Sequence, residues 1–366
     1  MKINFVGDLV LQHPDKITIG ENLKRCLKQS QYNIVNFEAP IKSNDVYAIP
    51  KSGPNIHQSP QNSSWLHQYK FNIIALANNH IMDYGETGLN VTLNTLKDFK
   101  HIGAGTWNEA YKPLILEDEE VKIAIFSMAE LQFGILYEEE IQGKGCAWIN
   151  HPSVNDIIKN IKKEVDYVII IAHAGLEGEE LPLPEWRKRY RELIDTGADV
   201  IIGGHTHTSQ GYEIYKERLI FYSLGNFVFE KGKTTVDKKW NIGELVSLKI
   251  NKNALSFELH GTSFDGNSIE LMDKEDWCNY INKLNEKLSN HYLEQINKIC
   301  NQKMDDYNNL FSMGGHIHID KRIFKSIIRY LLGRCNELHT LNNLQCETHR
   351  WVISRAIRNN IKKIVI

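Results

Sequence analysis

Asp8, Glu38, Asn79, His80, His173, His205 and His207 are carboxylate, amide and imidazole side chains of the kinds that hold metal ions. Each stands where a short apolar run gives way to polar residues. The five junctions are Phe5-Val6-Gly7-Asp8, Val35-Asn36-Phe37-Glu38, Ala77-Asn78-Asn79-His80, Ala172-His173-Ala174-Gly175 and Gly203-Gly204-His205-Thr206-His207. Carboxylate, imidazole and amide oxygen suit borderline cations such as Zn²⁺, Mn²⁺ or Fe, not a thiolate-seeking ion. Two cations held close together repel, and a carboxylate between them lowers that cost, a part open to Asp8 or Glu38. Glycines beside Asp8, His173 and His205 permit sharp turns and close backbone approach. His205 and His207 are two residues apart, so on an extended segment both point the same way. Taken singly, each junction reads as a turn or a cap. The ordered set of five carries the signal.

Positioning such a set requires strands that end together. Apolar, β-rich runs recur at Ile3–Val6, Asn33–Phe37, Phe71–Leu76, Val121–Phe126, Tyr167–Ala172, Asp199–Ile202 and Leu219–Ser223. Runs of this length, apolar throughout, suit strands covered on both faces. Helical patterns lie between several of them, at Gly88–Phe99, Asn155–Lys163 and Pro184–Thr196, and Pro184 suits a first helical turn. This alternation predicts a layered α/β fold with a mostly parallel sheet, in which ligands bind beyond the carboxyl ends of the strands. Leu245–Ile250 and Ala254–His260, joined by Asn251-Lys252-Asn253, read as a hairpin that adds antiparallel strands to a sheet edge. From about Asp273 the chain reads as helical, first through WCNYINKLNEKLSNHYLEQINKIC, then after Met313-Gly314-Gly315 near Ile323–Arg334, and finally from about Leu341 to Lys363. The expected division is 1–265 and a helical extension 266–366.

Composition excludes little but points away from several classes. The chain has 366 residues, 42% apolar and 24% charged, and its 43 basic and 45 acidic residues leave a formal charge of -2. Nothing in that balance favours nucleic acid or an anionic membrane. None of the six cysteines, Cys26, Cys146, Cys278, Cys300, Cys335 and Cys346, forms a CxxC pair, so they read as reduced, small packing residues. MKINFVGD enters a strand directly, without the features of a signal peptide, and no apolar stretch approaches the roughly 20 residues needed to span a bilayer. The expected place is the cytoplasm, with no membrane anchor.

The segments FVGD, NFEAP, LANNHIMDYGETGL, IAHAGLEGEE, GADVIIGGHTHTSQGYE and YSLGNFVF resemble the signature segments of the CapA family, named for capsule and poly-γ-glutamate synthesis. That family belongs to the calcineurin-like metallophosphoesterases, whose fold is a β-sandwich flanked by helices. The resemblance runs from about residue 1 to 230 and leaves out the C-terminal helices. It implies one or two divalent ions per chain (Mn, Zn or Fe). Asp8 and His207 would be ligands of a first ion, and Asn79, His173 and His205 of a second. Glu38 stands where the superfamily has its bridging Asp. His80 would protonate the leaving group, braced by Asp83, which on its residues alone reads equally as a helix cap.

Two departures accompany the resemblance. Val10 stands where the superfamily's first motif has a His, and the bridge is the longer Glu. His13 is a candidate replacement but reads first as a surface residue. Glu177, Glu179, Arg187, Arg189 and Arg191 read first as solvated surface, and each is also a candidate to meet substrate. The same holds for His316, His318, His339 and His349 as a second metal group. The implied activity is metal-dependent phosphoester hydrolysis in capsule or cell-surface polymer biosynthesis. Its substrate would be a phosphorylated sugar or polymer precursor, and a polymer-synthesis enzyme would be a partner. The alternative is a non-hydrolytic accessory component of a polymer synthase.

Overall fold

The computed structural model describes residues 1–44, 46–138, 143–230, 238–311 and 336–364. The chain divides into two compact units, one of Met1–Ile49 with Asn55–Asn290, the other of Pro50–Pro54 with His291–Ile366.

Two large sheets and a small three-stranded one (Ala104–Gly105, Gly145–Ala147, Ile135–Leu136) build the first unit. The larger has the strand order Thr18–Ile19, Ser268–Leu271, Ala254–Phe264, Ile242–Asn251, Lys2–Val10, Tyr32–Phe37, Ile73–Ala75, Lys100–Ile102, and Asn226–Phe229 also pairs with Lys2–Val10. Its half from Lys2–Val10 to Lys100–Ile102 is parallel. The expected hairpin, Ile242–Asn251 with Ala254–Phe264, joins it antiparallel beside Lys2–Val10. The second sheet runs Tyr212–Tyr215, Arg218–Phe221, Val200–Gly204, Tyr167–His173, Lys122–Ala129, Leu114–Glu117, with its central pairs parallel.

Alternation along the strands produces two apolar layers. Ile3, Phe5, Ile34, Ile73 and Ala75 pack with Ile123, Ile125, Ile169, Ile171, Val200, Ile202 and Phe221 of the other sheet. The opposite-facing Val6, Val35, Phe37, Ile74 and Leu76 pack with Leu23, Leu27, Trp65, Leu66 and Leu89 from helices Glu21–Lys28, Asn62–Gln68 and Gly85–Thr95. A strand covered on both faces is nearly continuous in apolar residues, which is why these runs show no regular polar alternation, and the few polar residues inside them, such as Asn4 and Asn33, hydrogen-bond to one another. Each fully buried Phe or Ile contributes about 1.5–3 kcal/mol through burial alone.

Strand Lys2–Val10 departs from this alternation at one point. Its pairing with Tyr32–Phe37 shifts register between Val6 and Asp8. Ile3 and Phe5 belong to the layer between the sheets, yet Leu9 and Leu11 belong with Val6 to the outer layer. The bulge therefore reverses the phase of the strand and places Asp8 on the opposite face from Val6. Gly7 is required there, since a Cβ would sit 1.9 Å from the Gly225 carbonyl oxygen.

The continuous helix read from Trp277 through Cys300 is two helices, Lys274–Ser289 and Tyr292–Phe311. Between them His291 takes a left-handed φ of 51°, which an α-helix does not accommodate. Asp273 caps the first of these, accepting from the backbone N–H groups of Glu275 and Asp276. The stretch read as one helix from Leu341 to Lys363 divides at Cys346 into Asn336–Gln345 and Glu347–Ile364. In the second unit Glu347–Ile364 packs along Tyr292–Phe311, burying Ile296, Cys300, Val352 and Ala356. The helical stretch at 323–334, with His316 and His318, lies outside the described residues, as does the His339 side chain. Among the described residues no helix is long and apolar enough to cross a membrane.

Candidate metal centre

The expected donors converge although they are spread over 200 positions of sequence. Two groups of buried side chains bring ligand atoms within 4.8 Å of one another, Asp8 with Glu38 and His207, and Glu38 with His173 and His205. Parallel neighbours end at the same level, which accounts for part of this. His173 and Gly204 are in register on adjacent strands, and Asp8 is in register with Asn36, two residues before Glu38.

His173 lies at the middle of the second group. Its Nε2 is 3.0 Å from Asn79 Oδ1, 3.1 Å from His205 Nδ1 and 3.6 Å from Glu38 Oε1. In the first group His207 Nδ1 lies 3.7 Å from Asp8 Oδ2, and His207 Nε2 lies 3.8 Å from Glu38 Oε1. Asp8 is held in place by Asn36 Nδ2, donating to its Oδ1 at 2.7 Å, and by the His205 backbone N–H, donating to Oδ2 at 3.1 Å. Gly204 permits this approach, because a Cβ there would stand 3.0 Å from Asp8 Oδ1.

The expectation that His205 and His207 point the same way from an extended segment is not met. The strand ends at Gly204, and both histidines take left-handed φ values, 83° and 58°. Their ring centroids are 6.3 Å apart, and each ring enters a different donor group. Such backbone conformations in non-glycine residues cost about 1–3 kcal/mol each and persist where the surroundings over-determine them.

Electrostatics distinguish this cluster from an ordinary polar core. Burial, followed by the like charge of Glu38, pushes the Asp8 carboxyl up from 3.8 to about 6. Burial likewise raises Glu38 and lowers His173 from 6.5 to about 4. At His207 burial lowers the imidazole, but Glu38, Glu177 and Asp8 outweigh it and the net direction is up. Glu38 is fully buried, and among the described residues neither of its oxygens has a hydrogen-bond partner of good geometry. A buried carboxylate is stable only when paired, hydrogen-bonded or coordinating a cation. This donor set, with a shared carboxylate that lacks hydrogen bonds of good geometry among the described residues, fits divalent ions. Asp8, Glu38 and His207 would hold one, and Glu38, Asn79, His173 and His205 another.

His80 and Asp83 form a separate pair. His80 Nδ1 lies 2.7 Å from Asp83 Oδ2, and Asp83 Oδ2 also accepts from the Ile56 backbone N–H at 2.7 Å. Val10, noted above as a departure from the superfamily's first motif, is a buried core residue. His13 is more than half exposed and pairs with Glu230 at 3.1 Å. Arg187 and Arg191 both pair with Glu213, and Arg189 donates to Asn155, Glu192 and the Ile149 carbonyl. Glu177 is exposed, yet its charge reaches Glu38, His173 and His207. His349 pairs with Asn343 Oδ1 at 2.9 Å, and among the described residues the groupings of donors able to share an ion are the two around Glu38.

Several residues at the centre were not singled out by their sequence context. Asn36 touches Asp8 and lies 3.1 Å from His173 Nδ1. Glu130, also buried, lies 3.3 Å from His205 Nε2. Trp240 packs against His207 with centroids 4.6 Å apart, and its carbonyl accepts from Asn226 Nδ2 at 2.9 Å. Asn226 also places its Oδ1 3.0 Å from His207 Nδ1.

The sequence pattern of the family described as bacterial capsule synthesis protein PGA_cap matches residues 2–231. A capsule biosynthesis protein CapA of Bacillus anthracis is 31% identical over 256 residues, 64% of this chain and 61% of the relative. A PGA biosynthesis protein CapA of Bacillus subtilis is 30% identical over 253 residues, 64% of each chain. The chain thus spans less than two thirds of the length of these curated relatives. Among solved structures, a 5'-nucleotidase from Candida albicans is similar at 14% identity and a TM-score of 0.41, covering 77% of this chain and 54% of that one.

Proposed function

The chain belongs to the bacterial capsule synthesis protein family, and on that premise we propose that it is a divalent-metal-dependent phosphoester hydrolase of capsule or cell-surface polymer biosynthesis. The observation that carries the reading is Glu38, a buried carboxylate shared by two donor groups and, among the described residues, without a hydrogen-bond partner of good geometry. The names of the CapA relatives support the proposed pathway, and the site chemistry supports the proposed reaction class. A phosphorylated sugar or polymer precursor is the proposed substrate, and a polymer-synthesis enzyme the proposed partner. Mn, Zn or Fe ions, one or two per chain, suit the donors. When bound, such ions polarise a phosphoryl oxygen and lower the pKa of water. The protein's own contribution is positional. Asp8, Glu38, Asn79, His173, His205 and His207 hold the ligand geometry, and Asn36 and Asn226 steady the rings and carboxylates. His80 serves as general acid, with Asp83 holding Nδ1 so that Nε2 delivers the proton to the departing oxygen.

One observation favours a second reading, an accessory component of a polymer synthase that retains the site without turnover. Val10 removes a donor from the first group and is packed as a core residue. Hydrolysis of a generic phosphodiester by the purified protein, abolished by chelator and restored by Mn²⁺, supports the hydrolase. Metal binding without any hydrolysis supports the accessory reading.

A further inference from the structure

We propose that Glu130 is a positioning residue that fixes the tautomer of His205 and so presents His205 Nδ1 to the second donor group. The proposal rests on reading these groups as a metal centre. Glu130 comes directly after strand Lys122–Ala129, whose Ala129 is in register with His173, and its backbone N–H donates to the His173 carbonyl at 3.1 Å. Its side chain is buried at the level of the ligands. Glu130 Oε1 accepts from the Gly175 backbone N–H at 3.1 Å and lies 3.3 Å from His205 Nε2. On the opposite side of the same ring, His205 Nδ1 lies 3.1 Å from His173 Nε2, which in turn touches Asn79 Oδ1. The imidazole is thus interposed between a carboxylate and the donor group.

An ionised carboxylate can only accept a hydrogen bond, so the proton of a neutral His205 belongs on Nε2 and the lone pair on Nδ1. A carboxylate behind a ligand imidazole also raises its basicity and restrains its rotation. Gln132 Nε2 lies 3.4 Å from the same nitrogen, but turning the amide over places its oxygen there instead, so it accommodates either tautomer and dictates neither. His173 and His207 have amides, Asn36 and Asn226, at 3.1 and 3.0 Å from Nδ1. Among the described residues, the carboxylate nearest to His173 Nδ1 and His207 Nδ1 is Asp8, at 3.8 and 3.7 Å, farther than Glu130 is from His205 Nε2. The Gly175 contact further ties Glu130 to the turn after His173, so one side chain coordinates two ligand-bearing segments.

The test begins with metal-free protein. Histidine ring ¹⁵N spectra distinguish the two neutral tautomers, and the His205 signals are those lost in His205→Gln. The expected form is protonated at Nε2, and protonation at Nδ1 overturns the proposal. Calorimetric titration with Zn²⁺ should then show one site weakened about 10–100-fold in Glu130→Leu. Glu130→Gln keeps an acceptor without the charge and should fall less, with protonation at Nε2 no longer enforced. Unaltered affinity in Glu130→Leu also overturns the proposal. Should that variant fail to fold, the wild-type tautomer decides alone. If the wild type binds no ion, the hydrolase reading fails, while the metal-free spectra still judge Glu130.

Discussion

Replacing Asp8 with Asn should stabilise the metal-free protein at neutral pH while weakening its hold on metal. The folded carboxyl titrates near 6 instead of 3.8, chiefly through burial and secondly through the charge of Glu38. A raised folded value means that the native state binds the proton more tightly. Stability therefore falls as pH rises from about 4 to about 6, and the whole penalty is present at pH 7. At about 1.4 kcal/mol per pH unit the penalty is about 3 kcal/mol. Asn removes it but cannot accept both from Asn36 and from the His205 N–H on carboxylate oxygens, a loss of about 1 kcal/mol. The net gain at pH 7 is about 2 kcal/mol and should vanish near pH 4. His173, lowered to about 4, acts in the opposite sense, losing stability as pH falls below 6.5, but it is present in both proteins and largely cancels. Urea unfolding with chelator at the two pH values measures the difference. With Mn²⁺ at a hundred times its Kd the wild type gains about 2.7 kcal/mol and the order reverses. A variant less stable than wild type in chelator at pH 7, or a difference independent of pH, refutes the reasoning.

His80→Ala should keep its metal and fold yet lose about 10²–10⁴ in turnover on esters with poor leaving groups, and less on a nitrophenyl ester that needs no proton. Loss of metal equal to that of His205→Ala would make His80 a ligand instead. Gly7→Ala should lower stability by more than about 3 kcal/mol and weaken metal binding together, because its Cβ would collide with the Gly225 carbonyl beside Asp8. Wild-type stability and metal content in Gly7→Ala would show that the bulge yields without consequence.

The strand ends were readable because an apolar run that stops at a polar residue reports where a doubly covered strand leaves the core. The same grammar holds at Phe126-Ser127-Met128-Ala129-Glu130, but Ser127 interrupts the run inside the strand and makes it look finished at Phe126. Glu130 was hidden by that one hydroxyl. The bulge at Gly7 and Asp8 reverses the strand's phase without any change of residue class, and it shows only in the pairing register. The left-handed turns at His205 and His207 depend on contacts with Asp8, Asn226 and Trp240 that are remote in sequence. The helix break at His291 has neither Gly nor Pro to mark it. Local pattern thus pointed to the candidate residues and the family resemblance to their grouping, while the bulge and the left-handed turns that bring them together show only in tertiary packing.

The central claim is that Glu38 joins two donor groups into one metal centre. Crystals of the protein grown with Mn²⁺, measured for anomalous scattering, test it most directly. The expected result is anomalous density bounded by Asn79, His173, His205 and Glu38, with a second peak toward Asp8 and His207 whenever both groups are filled. No peak near Glu38 under saturating metal, or density only at histidines outside these two groups, would contradict it.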